Sequence, residues 1–315
     1  MSYSGIRTAQ LVRKLVPHSI SWRTWSLAGG TSAEMTILEI DEGNKISHFV
    51  VRQPSEATLK RNPYAAEHEF MLLELAQALG LAAPRPIYFD QDGTFSSNPC
   101  LVMEYIEGRP MFAPKDAKGF INQLAKHLVQ IHSADLTNKD VSFLPRRTAD
   151  SKELGQEWPL TDAPSLSTEL FREQILSNRP TQRNASALLH GDYWPGNVLW
   201  RGDELVAVVD WESANMGDPL SDMAITRLEI YIMFGMEAML SFTHHYRALL
   251  SIDYTELPKW DLCAALRLAR EVGCDLGKWC DVHREVGRGD ITERKFRDRF
   301  NLFAEQALEQ FAKSR

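Results

Sequence analysis

The residues best equipped for chemistry lie in His190-Gly191-Asp192-Tyr193-Trp194-Pro195-Gly196-Asn197 and, further on, in Val208-Val209-Asp210-Trp211-Glu212. Asp192 and Asn197 stand five residues apart in a loop, and Asp210 follows thirteen residues later at the end of an apolar strand. A carboxylate, an amide and a second carboxylate in this order suit phosphoryl transfer. Asp192 can accept the proton of an attacking hydroxyl, while Asn197 and Asp210 are hard oxygen ligands for a Mg²⁺ that bridges nucleotide phosphates. Mg²⁺ keeps several of its waters, so two such protein ligands suffice. A two-metal phosphoesterase would need several His and Asp ligands, and only His190 stands nearby.

Such residues need a scaffold, and the chain is long enough to provide one. Its 315 residues are 44% hydrophobic and 24% charged, ordinary globular usage for two domains or one enzyme of two lobes. The formal net charge of −7 argues against a general nucleic-acid binder. Cys100, Cys263, Cys274 and Cys280 form no CxxC pair and read as reduced, buried thiols of a cytosolic protein. No apolar run reaches a membrane span. The first acid after Met1 is Glu34, and the segment before it carries Arg7, Arg13, Lys14 and Arg23 with several serines. That composition resembles a transit peptide, but the spacing of Ile6, Leu11, Val12 and Leu15 favours an amphipathic first helix.

The first hundred residues read as a small α/β lobe. Ser19–Leu27, Met35–Ile40 and Ser47–Arg52 are expected strands, with hairpin chemistry at Asp41-Glu42-Gly43-Asn44. A helix is expected over Ala65–Leu79, stopped by Gly80, followed by strands near Ile87–Phe89 and Cys100–Tyr105. After Gly108-Arg109-Pro110 the pattern turns helical, from Gly119 to Ser133. It becomes polar over 136–187, with one helix near Ser167–Ser177. Short strands surround the loop between Leu188 and Asp210, and helical periodicity fills most of the chain beyond Asp218. His244 and His245 are adjacent, so they cannot share a helix face as metal ligands. Trp260 and Trp279 are expected to pack in the core. Arg267 and Arg270, with Asp275 and Asp281, read as a mixed-charge C-terminal surface that indicates no single substrate.

The pattern HGDxxxxN, then Asp210-Trp211-Glu212, then Gly217-Asp218-Pro219-Leu220-Ser221-Asp222 resembles the aminoglycoside phosphotransferase/choline kinase family. The wording of the last two motifs resembles the branch that includes acyl-CoA-dehydrogenase-associated kinase domains and many bacterial members. The resemblance is strongest over 188–230 and extends more weakly across the chain. It implies an α+β, protein-kinase-like fold: a small N-terminal antiparallel-sheet lobe with one main helix (1–103), a hinge (104–108) and a larger, mostly helical C-terminal lobe (109–315).

The resemblance also distributes roles. Leu27–Ala33 falls at the family's nucleotide loop, where Gly29 and Gly30 permit a turn close to phosphate and Thr31 and Ser32 offer donors. Arg52 occupies the third-strand position where kinases carry a lysine, and Glu69 matches its helix partner, with Glu67 as the competing choice. Glu104 and Ile106 lie in the hinge, whose backbone would meet the nucleotide base. His190, Asp218 and Asp222 correspond to residues that brace the site. The implied activity is transfer of the ATP γ-phosphoryl group, with GTP as an alternative donor, to a hydroxyl of a small molecule. Asp192 would act as base and Mg²⁺ would sit on Asn197 and Asp210. The competing reading is a catalytically silent kinase-like module that binds a nucleotide or partner, and only the arginine at position 52 favours it. The interval from Asp210 to Asp218 is too short for the activation segment of a protein kinase. The expected partner is a small hydroxyl acceptor in the cytoplasm, with no nucleic acid and no membrane.

Overall fold

Alternating apolar residues bounded by turn chemistry build the N-terminal sheet. A computed structural model describes residues 3–27, 32–95, 98–147, 166, 168–273 and 275–313. The chain divides into two compact units, Met1–Gly108 with Ala207–Glu212, and Arg109–Val206 with Ser213–Arg315.

The first unit opens with helix α1 (Tyr3–Leu15). Five strands follow: β1 (Ser21–Ser26), β2 (Ala33–Asp41), β3 (Ile46–Pro54), β4 (Pro86–Asp90) and β5 (Cys100–Glu104). They form one antiparallel sheet in the order β1-β2-β3-β5-β4. The β2–β3 turn closes where Asp41 pairs with Ile46, and Gly43 supplies the left-handed residue at φ +86°. The Asp41 carboxylate accepts the Gly43 N–H at 2.7 Å. Leu11 and Val12 of α1 are buried with Leu38, Ile40 and Val102. The acid-free N-terminal segment therefore contributes to the core, as its helical spacing requires. A short helix α2 (Glu56–Arg61), capped by Ser55, precedes α3 (Ala65–Ala78). Periodicity alone did not reveal α2, because six residues hold under two turns.

The second unit is mainly helical. Helix α4 (Ala117–His132) starts where the Asp116 carboxylate accepts the Gly119 N–H at 2.9 Å. Helix α5 (Glu169–Ser177) matches the one helix expected in the polar stretch; residues 148–165 and 167 of that stretch lie outside the described residues. Strands β6 (Arg146–Arg147), β7 (Ala187–Leu189) and β10 (Asn215–Gly217) form a sheet ordered β6-β10-β7, and β8 (Val198–Arg201) pairs with β9 (Glu204–Val208). Helices α6 (Leu220–Phe234), α7 (Met236–Leu249), α8 (Leu257–Val272), α9 (Leu276–Glu285) and α10 (Glu293–Lys313) complete the chain. Trp260 is buried in this core; Trp279 is partly exposed and stacks on His283. Cys100, Cys263 and Cys280 are buried and form no disulfide, while Cys274 lies outside the described residues. Among the described residues no helix is long and apolar enough to cross a membrane.

Candidate active site

In the first unit, strand alternation turns an arginine inward. Val50, Arg52 and Pro54 share the buried face of β3. A guanidinium placed there must find anions or remain an uncompensated charge. Arg52 finds three. Its Nε donates to Glu69 on α3 at 2.9 Å, and its Nη2 donates to Asp210 at 3.1 Å and to Glu212 at 2.6 Å. Of the two α3 acids offered by the sequence, it is Glu69 that makes this pair; Glu67 lies in the first turn of the helix. Burial pushes the Glu69 carboxyl up to about 7, against the pull of Arg52, and Asp210 adds to the rise. The three carboxylates hold Arg52 charged despite its burial.

Asp210 adopts a left-handed backbone at φ +64°, rare for a residue with a side chain. Ser32 borders the cluster: its hydroxyl lies 3.5 Å from Arg52 Nη2, and its carbonyl accepts the Ser55 N–H at 2.7 Å and the Thr58 hydroxyl at 2.9 Å. Gly29, Gly30 and Thr31 lie outside the described residues. In the expected hinge, Glu104 ends β5, with its N–H donating to the Arg85 carbonyl and its carboxylate accepting the Arg85 N–H at 3.1 Å. Ile106 is half-buried just beyond.

The second unit holds the loop from His190 to Asn197. Asp222, fully buried near the start of α6, accepts the backbone N–H groups of His190 at 2.7 Å and Gly191 at 2.9 Å. His132 approaches the same carboxylate at 3.3 Å and is itself bonded to the Tyr246 hydroxyl at 2.6 Å. Burial opposes the charge on Asp222, but the bonds from His132 and the loop keep it below the usual carboxylate range. Asp218 accepts the Leu220 N–H at 3.0 Å and ties Asn184 at 3.0 Å. His190 is buried, and its Nδ1 accepts the Asp192 N–H at 3.3 Å.

These anchors present Asp192 with its carboxylate 29% exposed. Asn197 Nδ2 donates to Asp192 Oδ2 at 2.9 Å and to the Asp192 carbonyl at 3.0 Å. The amide thus commits its hydrogens to the loop, and its remaining polar atom is Oδ1, a hard oxygen donor. Sequence reading missed Arg267. It is no indifferent surface charge, because its Nη2 donates to Asp192 Oδ1 at 2.7 Å. Helix packing brings it there across 75 residues. The signal was a lone arginine inside the apolar run Leu262–Leu268.

A family model described as "Phosphotransferase enzyme family" matches residues 26–260. The chain belongs to that family. Among curated proteins, this phosphotransferase-family chain is 24% identical over 192 residues to "Acyl-CoA dehydrogenase family member 11" of Homo sapiens, covering 56% of this chain and 24% of that protein. It thus spans about a quarter of the length of the first curated relatives it matches. Among solved structures, the GDP complex of wild-type aminoglycoside 2'-phosphotransferase-IIIa superposes with a TM-score of 0.62 at 17% identity, over 98% of this chain and 97% of that one. Choline kinase LicA from Streptococcus pneumoniae superposes with a TM-score of 0.57 at 18% identity, over 99% of this chain and 100% of that one. These likenesses establish the kinase-like fold, with its antiparallel N-terminal sheet and helical C-terminal part.

Proposed function

We propose that this chain is a small-molecule kinase that transfers the γ-phosphoryl group of ATP, or of GTP, to an acceptor hydroxyl. The observation that carries this reading is Asp192 itself. The carboxylate is partly exposed, on a loop whose backbone Asp222 grips, with Asn197 donating to one of its oxygens. Each carboxylate oxygen offers two acceptor directions, so an acceptor hydroxyl can still donate to Asp192. Asp192 would take the proton as the oxygen attacks phosphorus, an effect typically worth about 10²–10⁴-fold.

The donor set fits a hard divalent cation. Asn197 Oδ1 and the Asp210 carboxylate are oxygen ligands of the type Mg²⁺ prefers, and Arg52 faces three carboxylates with a single positive charge. Asn197 and Asp210 would hold Mg²⁺, which when bound neutralises charge on the nucleotide phosphates. Arg52 would contact those phosphates from its carboxylate socket, joined by Gly29, Gly30, Thr31 and Ser32. Backbone groups of Glu104 and Ile106, in a hinge over 104–108, would meet the base. An aminoglycoside phosphotransferase and a choline kinase share this fold, so acceptors of both kinds belong in the test. The arginine at position 52 also supports a silent nucleotide-binding module.

The test is ADP release from Mg·ATP by the purified protein, with and without aminoglycosides, choline, amino alcohols, sugars and hydroxyacyl compounds. Stimulation by one acceptor that disappears in Asp192→Asn, while Mg·ADP binding persists, is the expected result. Near-parental turnover in Asp192→Asn would sink the assignment of the base. Nucleotide binding without turnover under any condition would favour the silent module.

A further inference from the structure

We propose that Arg267 on α8 is the positioning residue of the Asp192 carboxylate, setting the direction in which it meets the acceptor hydroxyl. The inference rests on the reading of Asp192 as base. Each nitrogen of the guanidinium is committed. Nη2 donates to Asp192 Oδ1 at 2.7 Å, Nη1 donates to the Gly191 carbonyl, and Nε donates to Glu271 Oε1 at 2.7 Å, one turn further along the same helix. A planar fork held at three points has one orientation, unlike the flexible point charge of a lysine. Asn197 takes the other oxygen of the same carboxylate, so the carboxylate plane is fixed from both ends.

The backbone of the loop is gripped in a matching way. Asp222 of α6 takes the N–H groups of His190 and Gly191, and Arg267 of α8 takes the carbonyl of Gly191. An anion on the donors and a cation on the acceptor hold one short segment from two helices. Those helices are themselves locked together by the bidentate Arg227–Asp261 pair, buried, with both contacts at 3.1 Å. The position of the base is therefore tied to the α6–α8 packing. A misplacement of about 1 Å in such a group is enough to cost about 10²-fold in rate.

Three variants test this: Arg267→Ala, Arg267→Lys and Asp192→Asn. Each is assayed for ADP formation from Mg·ATP with water as acceptor, for Mg·ADP affinity by calorimetry, and for thermal melting. Arg267→Ala is expected to lose about 10²-fold in kcat with KM for ATP and Mg·ADP affinity unchanged, because nothing in its contacts serves the nucleotide. Arg267→Lys, which keeps the charge and loses the fork, should recover only part of that. In crystals of Arg267→Ala the Asp192 carboxylate should move by more than about 0.5 Å. A parental kcat in Arg267→Ala, or an unmoved carboxylate, overturns the inference while leaving the base reading intact. Turnover surviving in Asp192→Asn overturns the base reading beneath it. Should Arg267→Ala fail to fold, Arg267→Lys decides, and parental kcat in that variant refutes the positioning role.

Discussion

Arg52 and Glu212 meet at 2.6 Å, Nη2 to Oε2, and the same Nη2 reaches Asp210 at 3.1 Å. One guanidinium nitrogen thus bridges both acids of Asp210-Trp211-Glu212, while Nε holds Glu69 on another face. A lysine ammonium has no second, fixed arm for that geometry. The arginine at position 52 therefore comes with a three-acid socket shaped for it.

That socket predicts that Arg52→Lys is not conservative. Each charged hydrogen bond contributes about 1.5–3 kcal/mol, so losing one should lower kcat/KM for the nucleotide about 10–100-fold. Glu212→Gln should have the smaller effect, since Glu69 and Asp210 remain as partners. Steady-state kinetics with varied Mg·ATP would check both, and an unaffected Arg52→Lys would show that the fork is dispensable.

Gly191 is required by its surroundings. Its φ is +81°, and an added Cβ would collide with the Ser213 carbonyl oxygen. Gly191→Ala should cost about 1–3 kcal/mol of backbone strain alone, and more because a backbone atom must yield. Denaturant melts would read the loss of stability, and turnover should fall further than stability because Asp192 is the next residue.

The buried Arg227–Asp261 pair carries a larger stability cost. Removing one partner leaves the other charge buried alone, which typically costs about 3–5 kcal/mol. Arg227→Ala should therefore melt far below the parent. The double substitution Arg227→Met with Asp261→Leu should recover much of the loss, since an apolar pair of similar size needs no compensating charge. Equal melting of the single and double variants would argue against the uncompensated charge as the cause.

Glu229 makes stability depend on pH. Burial raises its carboxyl to about 8, with Glu271 and Asp192 adding to the rise and Arg267 opposing it. The folded state therefore keeps a proton that the unfolded chain has lost. Its stabilising contribution is complete below the unfolded value near 4.5 and disappears as pH climbs to about 8. Glu229→Gln should thus gain in Tm relative to the parent as pH rises through that window. A difference in Tm that stays constant between pH 5 and pH 8.5 would contradict this.

Much of the candidate site was legible because its signals are local. Asp192 and Asn197 sit within one loop, and five-residue spacing needs no knowledge of distant chain. The expected strand over Ser47–Arg52 carried Arg52, and the family resemblance, laid over the expected helix, made Glu69 a candidate beside Glu67. The N-terminal helix was likewise readable from Leu11 and Val12. Strands of two or three residues, such as β6 and β10, were not, because they carry too few positions for any period to appear.

The sequence by itself determined the kinds of chemical group, their order, and the helices and strands that carry them, since periodicity and turn chemistry act over neighbouring residues. Tertiary structure alone decided which charges meet. Arg52 added Glu212, 160 residues away, to its pair with Glu69, and Arg267 found Asp192 across 75 residues. An ionic side chain carries no record of its partner in its own neighbourhood. The pairing is fixed when helices and strands pack and buried charges must be satisfied by whatever they meet.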